Sequence, residues 1–227
     1  MKKIVTILIL LLSILFLLDL NKDAAAEQRY NNYVVYLDAG HGGYDGGAST
    51  RDGAQEKDLN LAISLYLRNY LESVGIKVLM IRDTDISLTD GSERTKKRSD
   101  MMNRIKLIRE SDADLFISIH MNAFPSGRWY GSQTFYNSQD PNNKLIAEAI
   151  QKNLKDTLKN TYRNAKPSNN LFILKYSEKV GALVEAGFLS NSREGRLLQK
   201  PIYQQKVAYA IFLGIIEYFD QTTNSYS

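Results

Sequence analysis

At 227 residues, with 44% hydrophobic and 24% charged side chains, the chain has the balance of a globular protein and the length for one well-formed core. It has no cysteine, which excludes a thiol nucleophile, a thiolate-held metal and any disulfide, so stability must come from packing. A net charge of +4 tolerates an anionic envelope polymer as partner, while nucleic acid has only the short cluster Arg94-Thr95-Lys96-Lys97-Arg98 in its favour and is not expected.

The chain opens on Met1-Lys2-Lys3, runs through an almost wholly aliphatic stretch from Ile4 to Leu18 and reaches Ala24-Ala25-Ala26. About fifteen apolar residues after a basic start fit a secretory signal and fall short of the roughly twenty of a membrane-spanning helix. Residues 1–26 therefore read as a signal peptide or, if Leu20 lengthens the span, as an N-terminal membrane anchor. Either way the remainder is exported across the cytoplasmic membrane to the cell envelope. Residues 27–220 form one domain on this reading, and 221–227 a flexible tail.

Tyr33-Val34-Val35-Tyr36-Leu37 lacks polar alternation, as expected of a strand buried on both faces. Asp38-Ala39-Gly40-His41-Gly42-Gly43 follows, with further glycines at 46 and 47 that let backbone approach closely. From Glu56, the apolar residues Leu59, Ile63, Tyr66, Leu67, Tyr70, Leu71 and Val74 repeat at three and four positions, predicting a helix that Gly75 ends. Lys77 to Ile81 is the next strand, completing a strand, helix, strand unit of the kind that builds a parallel sheet. Arg82 to Gly91 is polar and turn-prone, and the basic segment at 94–98 begins a helix to about Arg109 whose charge reads as a solvated face.

Asp114 to His120 is a strand ending, like the first, on a histidine. Gly131 to Tyr136 alternates like a half-exposed strand. Asn142 to Leu158 is a helix opened by Pro141, with Leu145, Ala149 and Leu158 on its apolar face. Arg163 to Asn170 reads as a loop, Leu171-Phe172-Ile173-Leu174 and Ala182-Leu183-Val184 as short strands, and Ile202 to Phe219 as the last helix. The class is α/β: a single domain built on a twisted, mostly parallel sheet.

Both histidines of the chain, His41 and His120, thus close strands, and parallel strands present their carboxyl ends on one edge, where α/β proteins bind ligands. With no cysteine and no Gly-x-Ser-x-Gly elbow, a metal-activated water is the economical route to hydrolysis. Ser118, two residues before His120 on the same strand face, is not placed to act as its nucleophile. Catalytic zinc commonly takes two imidazoles and a carboxylate. Glu56, at the amino end of the first helix, is the best third ligand, with Asp45 and Asp58 as competitors; Asp45 is alternatively a partner of His41 or a turn former. Glu185, directly after an apolar strand, suits a proton-transfer role because desolvation raises a carboxyl pKa.

Leu37-Asp38-Ala39-Gly40-His41-Gly42-Gly43, Gln55-Glu56-Lys57-Asp58, Ser118-Ile119-His120-Met121-Asn122 and Val184-Glu185-Ala186-Gly187-Phe188-Leu189-Ser190-Asn191 occur in order. Together they resemble the motifs of the zinc-dependent N-acetylmuramoyl-L-alanine amidases, from about Tyr33 to Phe219. The resemblance implies a catalytic domain with about six strands flanked by helices. It implies one Zn2+ ion on His41, Glu56 and His120, Glu185 as catalytic acid and base, and cleavage of the bond joining N-acetylmuramic acid to L-alanine in peptidoglycan.

Within the family the chain looks most like the short type associated with spore-cortex maturation and germination, in which stem-peptide removal leaves muramic acid available for δ-lactam formation. A vegetative autolysin, a zinc peptidoglycan peptidase and an inactive wall-binding scaffold are the alternatives. Without a recognisable wall-binding repeat, such a domain is expected to rely on an accessory envelope protein. Trp129 and Tyr130 are either a sugar-stacking wall or buried aromatics.

Overall fold

The computed structural model describes residues 29–224. The proposed leader, residues 1–26, and residues 225–227 of the proposed tail lie outside that range. Among the described residues no helix is long and apolar enough to cross a membrane.

The chain runs β1 (Val34–Ala39), α1 (Glu56–Glu72), β2 (Lys77–Met80), α2 (Lys96–Glu110), β3 (Leu115–Asn122), β4 (Gln133–Tyr136), α3 (Pro141–Leu158), β5 (Lys166–Pro167), α4 (Phe172–Tyr176), β6 (Gly181–Phe188), α5 (Ser192–Leu198) and α6 (Pro201–Asn224). The strands form one six-stranded sheet in the order β2-β1-β3-β6-β4-β5, in which only the β4–β6 pairing is antiparallel. The expected single-domain, mostly parallel α/β architecture is therefore the one observed.

Side-chain alternation along the strands sorts the core into two layers. Val35 and Leu37 of β1, Ile117 and Ile119 of β3, and Ala182 and Val184 of β6 face α1, α3 and α6 in the larger cluster. Tyr36, Phe116 and Leu183 face α2 and α4 in a smaller one. On this second face the apolar residues give way, towards the strands' carboxyl ends, to Asp38, Ser118, His120 and Glu185. That polar ladder is where the site lies.

Several expectations are corrected. Leu171–Leu174 is not a strand: Phe172–Tyr176 is helical, Ile173 and Leu174 are buried against the smaller cluster, and the Phe172 and Tyr176 rings meet at 4.6 Å one turn apart. A four-residue apolar run does not by itself distinguish a strand from a short buried helix. The supposed loop at 163–170 contains β5, two residues paired to β4. β4 is covered on both sides rather than half exposed, since it lies between β6 and β5 and beneath α3. In α3 the buried stripe runs through Ile146, Ile150 and Leu154, one position on from Leu145, which is 41% exposed. The last helix continues to Asn224, so residues 221–224 are not a loose tail; the Thr223 hydroxyl donates to the Phe219 carbonyl at 2.8 Å.

Candidate metal and catalytic site

His41 stands two residues beyond β1 in a left-handed backbone conformation, φ 62°, which costs a non-glycine residue about 1–2 kcal/mol. Two buried guanidinium groups hold that turn. Arg82 donates from Nε to the Ala39 carbonyl at 2.9 Å and from Nη2 to the Gly40 carbonyl at 3.0 Å. Arg104 donates from Nη1 to the Ala39 carbonyl at 3.1 Å and from Nη2 to the His41 carbonyl at 2.6 Å. The Arg104 charge is itself neutralised inside the protein by Asp38 and Asp100, each at 2.6 Å, with the Ser118 hydroxyl completing the Asp38 shell at 2.6 Å.

Neither arginine was singled out from the sequence, and the reading of α2 as a solvated basic face fails at Arg104, whose side chain is 2% exposed. The available signals were an aspartate in the otherwise apolar β1 run and the Asp100–Arg104 spacing of one helical turn.

His41, Glu56 and His120 converge: one nitrogen or oxygen from each lies within 4.8 Å of the others. Glu56 projects from the first turn of α1, its Oε1 3.2 Å from His41 Nε2 and 3.1 Å from His120 Nδ1. Backbone N–H groups of Met121 and Ala48 donate to the two carboxylate oxygens at 3.0 and 2.8 Å, which fixes the plane of the group. Burial opposes ionisation of Glu56, but the hydrogen bonds and charges of His120 and His41 outweigh it and hold its pKa far below the usual carboxylate range. For His41, desolvation is outweighed by Glu56 and Asp45, and the imidazole pKa is raised.

Two imidazoles and one carboxylate form the donor set typical of a divalent transition-metal site such as zinc, and His41 and Glu56 are each held from behind. Asp45 accepts or shares a proton with His41 Nδ1 at 2.9 Å, and its other oxygen accepts from the Gly47 N–H at 3.1 Å. It is therefore both a partner of His41 and a turn former. Asp58 is exposed on α1 and belongs to no cluster with the histidines, which removes it as the third ligand.

Two glycines are required here by space. A Cβ on Gly40 would stand 2.3 Å from the His120 ring, and one on Gly47 would meet the Glu56 carboxylate at 2.5 Å with the backbone at φ 67°.

Glu185 is the register partner of His120 on the adjacent parallel strand, so the two side chains stand side by side on the same face. Its Oε2 is buried without a hydrogen-bond partner. Desolvation raises the carboxyl to about 7, with Glu56 adding to the rise and the histidines opposing it. The four residues nominated from the sequence are thus brought to one edge of the sheet. Lys97, from the basic cluster, lines the same small cavity as His41 and His120.

The chain is similar in sequence and fold to known proteins. Residues 35–217 match the N-acetylmuramoyl-L-alanine amidase family. A germination-specific N-acetylmuramoyl-L-alanine amidase of Bacillus subtilis is 44% identical over 192 residues, 83% of this chain and 80% of that protein. The CwlD amidase from Clostridioides difficile, solved in complex with the GerS lipoprotein, superposes with a TM-score of 0.80 at 41% identity, covering 83% of this chain and 99% of that one. An N-acetylmuramoyl-L-alanine amidase from Clostridium difficile 630 gives 0.75 at 31% identity, covering 84% and 98%. With sequence, fold and the converging histidines in agreement, the chain belongs to the N-acetylmuramoyl-L-alanine amidase family.

Proposed function

We propose that the protein hydrolyses the amide between N-acetylmuramic acid and L-alanine in peptidoglycan, with His41, Glu56 and His120 holding one zinc ion and Glu185 moving the proton. The observation that supports this most is the meeting of the three donors within 4.8 Å beside Glu185, whose buried Oε2 has no hydrogen-bond partner. Zinc bound there supplies Lewis acidity and brings the pKa of water towards about 7.

The chain's own residues do the rest. Glu185 accepts a proton from the water that attacks the lactyl carbonyl carbon, and returns it to the alanine nitrogen as the carbon–nitrogen bond breaks. The products are a free lactyl carboxylate on the glycan and a stem peptide beginning with L-alanine. No covalent intermediate with the protein is needed. Asp45 keeps His41 in one orientation, and Arg82 and Arg104 hold the turn that carries it.

The biological setting follows the relatives. The work is in the spore cortex, where stem-peptide removal prepares muramic acid for δ-lactam formation before germination. The basic, aliphatic start at residues 1–26 carries the chain across the membrane or anchors it there. An accessory envelope protein assists, as the lipoprotein complex of the clostridial relative suggests.

Mass analysis of purified peptidoglycan incubated with the protein, with and without zinc, tests the central claim. Metal-dependent release of peptides with L-alanine at the amino end supports it. Fragments cut within the stem would make the protein a peptidase, and bound zinc without release from any peptidoglycan, even with an envelope fraction added, would leave it a scaffold. Deleting the gene and finding δ-lactam in the cortex unchanged would move it to vegetative wall turnover.

The crowding at Gly40 gives a sharper test of the ligand set. Gly40→Ala pushes the His120 ring from its place, and calorimetric titration is expected to show zinc affinity weakened about 10–100-fold. An unchanged affinity would remove His120 from the ligand set.

A further inference from the structure

We propose that the cleft between residues 128–130 and 160–163 is a subsite for the glycan strand of peptidoglycan, which rests on the amidase reading and adds to it the direction in which substrate lies. Trp129, Tyr130 and Tyr162 are 52%, 56% and 92% exposed, and they face one cavity of about 700 Å³. Clefts of about 300–1,000 Å³ are the size that takes small ligands. Large aromatic faces left in water beside a cavity mark binding surface, because each forgoes the stabilisation that burial would bring.

The cleft is built rather than loose. Arg163 donates from Nη1 to the Tyr130 carbonyl and to the Gly131 carbonyl at 2.9 Å, tying one wall to the other, while its guanidinium lies over the Phe188 ring at 5.3 Å. The buried Glu194 carboxylate accepts from the Gly131 N–H at 3.0 Å, the Phe188 N–H at 2.8 Å and Asn160 Nδ2 at 3.1 Å. Both walls are thereby fixed to the end of β6. Phe188 is three residues beyond Glu185 on that strand, about 10 Å at about 3.3 Å per residue. The cleft therefore adjoins the end of the strand that carries Glu185, and a glycan strand stacked on Trp129 or Tyr130 extends towards it.

The order of strands gives the polarity. Along the sheet edge come His41 after β1, His120 on β3, Glu185 on β6 and then the aromatic wall that leads into β4. A scissile bond held between His120 and Glu185 has two sides, which must leave in opposite directions. The wall at β4 offers the ring faces of Trp129, Tyr130 and Tyr162, on which pyranose rings stack, with Arg128 and Arg163 beside them as donors to sugar oxygens. The stem peptide then leaves on the opposite flank, past His41 and the cavity that Lys97 shares with Asp45 and Asp100.

Trp129 is the sole tryptophan of the chain, so its fluorescence reports this cleft alone. The Glu185→Gln protein titrated with a peptide-free oligosaccharide of N-acetylglucosamine and N-acetylmuramic acid is expected to show a saturable emission shift. Tyr130→Ala in that background, with its circular dichroism unchanged, is expected to weaken binding about 3–10-fold, the loss of one aromatic stacking contact. A free stem peptide is expected to leave the emission unmoved. No shift with saccharide, a shift with stem peptide instead, or an unaltered Kd in Tyr130→Ala would each overturn the subsite.

Peptide release by the unsubstituted protein, measured in parallel, keeps the two readings apart. Saccharide binding at Trp129 without release, even with an envelope fraction added, would retain the subsite and sink the amidase assignment. Release without saccharide binding would do the reverse.

Discussion

Glu185→Gln is expected to lower turnover by about 10²–10⁴-fold, the usual contribution of a positioned acid–base group, while zinc affinity stays within a few-fold of the unsubstituted protein. Glutamine matches the shape of the carboxylate and removes its capacity to take a proton. Because Glu185 stands beside His120 in register but is not among the three converging donors, the substitution should leave the ligand set in place. Turnover measured by amine release, with zinc binding followed by calorimetry, checks both halves. Loss of zinc together with activity would make Glu185 a ligand; activity within tenfold would remove it from the proton-transfer role.

The same carboxyl gives a pH signature in the zinc-free protein. Burial lifts Glu185 from about 4.5 to about 7, so between those values the folded protein holds a proton that the unfolded chain has released. Its contribution to stability therefore falls as pH rises through that window. Glu185→Gln, which has no proton to lose, is expected to flatten the fall, as seen by comparing denaturant midpoints at pH 5 and pH 8. A bound dication beside the carboxylate lowers its pKa and is expected to shrink the difference.

Arg104→Met is the second large effect, and it acts on stability. The guanidinium and Asp38 are 2% and 1% exposed, and removing one partner of such a buried pair leaves a charge with nothing to offset its desolvation, a loss of about 3–5 kcal/mol. The His41 carbonyl also loses its 2.6 Å hydrogen bond, releasing the left-handed turn that presents the imidazole. Urea unfolding should show the midpoint drop, and zinc affinity should weaken with it.

The sign of the pH dependence separates this mechanism from a simple packing defect. In the unsubstituted protein burial of Asp38 is outweighed by Arg104, His120 and Ser118, so its pKa is lowered and its contribution is lost as pH falls below the ordinary aspartate value. Without Arg104 the balance reverses: Asp38 holds its proton, and the deficit grows as pH rises above that value. Asp38→Asn combined with Arg104→Met is then expected to recover part of the stability at neutral pH. A deficit unaffected by either pH or Asp38→Asn would show that the ion pair is not what holds this layer.

The strands other than β5, the long helices and the four candidate residues could be read from local pattern, because those signals are local. β1 and β3 are apolar runs, interrupted only by Asp38 and Ser118, each leading to a histidine, α1 has its stripe at three and four residues, and Glu185 follows the three apolar residues at 182–184. Register between β3 and β6 then made His120 and Glu185 neighbours, 65 residues apart in the chain. The sequence suggested that the two histidines share an edge, and strand pairing decided that Glu185 stands beside His120 there.

What local pattern could not supply depends on burial and on long-range partners. Arg104 has the same exposed-looking neighbours as the rest of its basic helix, and only the packing of α2 over Asp38 makes it an internal cation. Arg82 lies in a polar stretch that reads as a turn, yet its side chain is buried against three carbonyls from other segments. Phe172 to Tyr176 coils into a helix because the smaller core needs Ile173 and Leu174 on one side, a demand that a four-residue window cannot express. The sequence by itself therefore determined the class of fold and the four residues that meet at the edge of the sheet. Tertiary structure alone decided which charges are buried, because desolvation is a property of the packed surroundings and not of the residue.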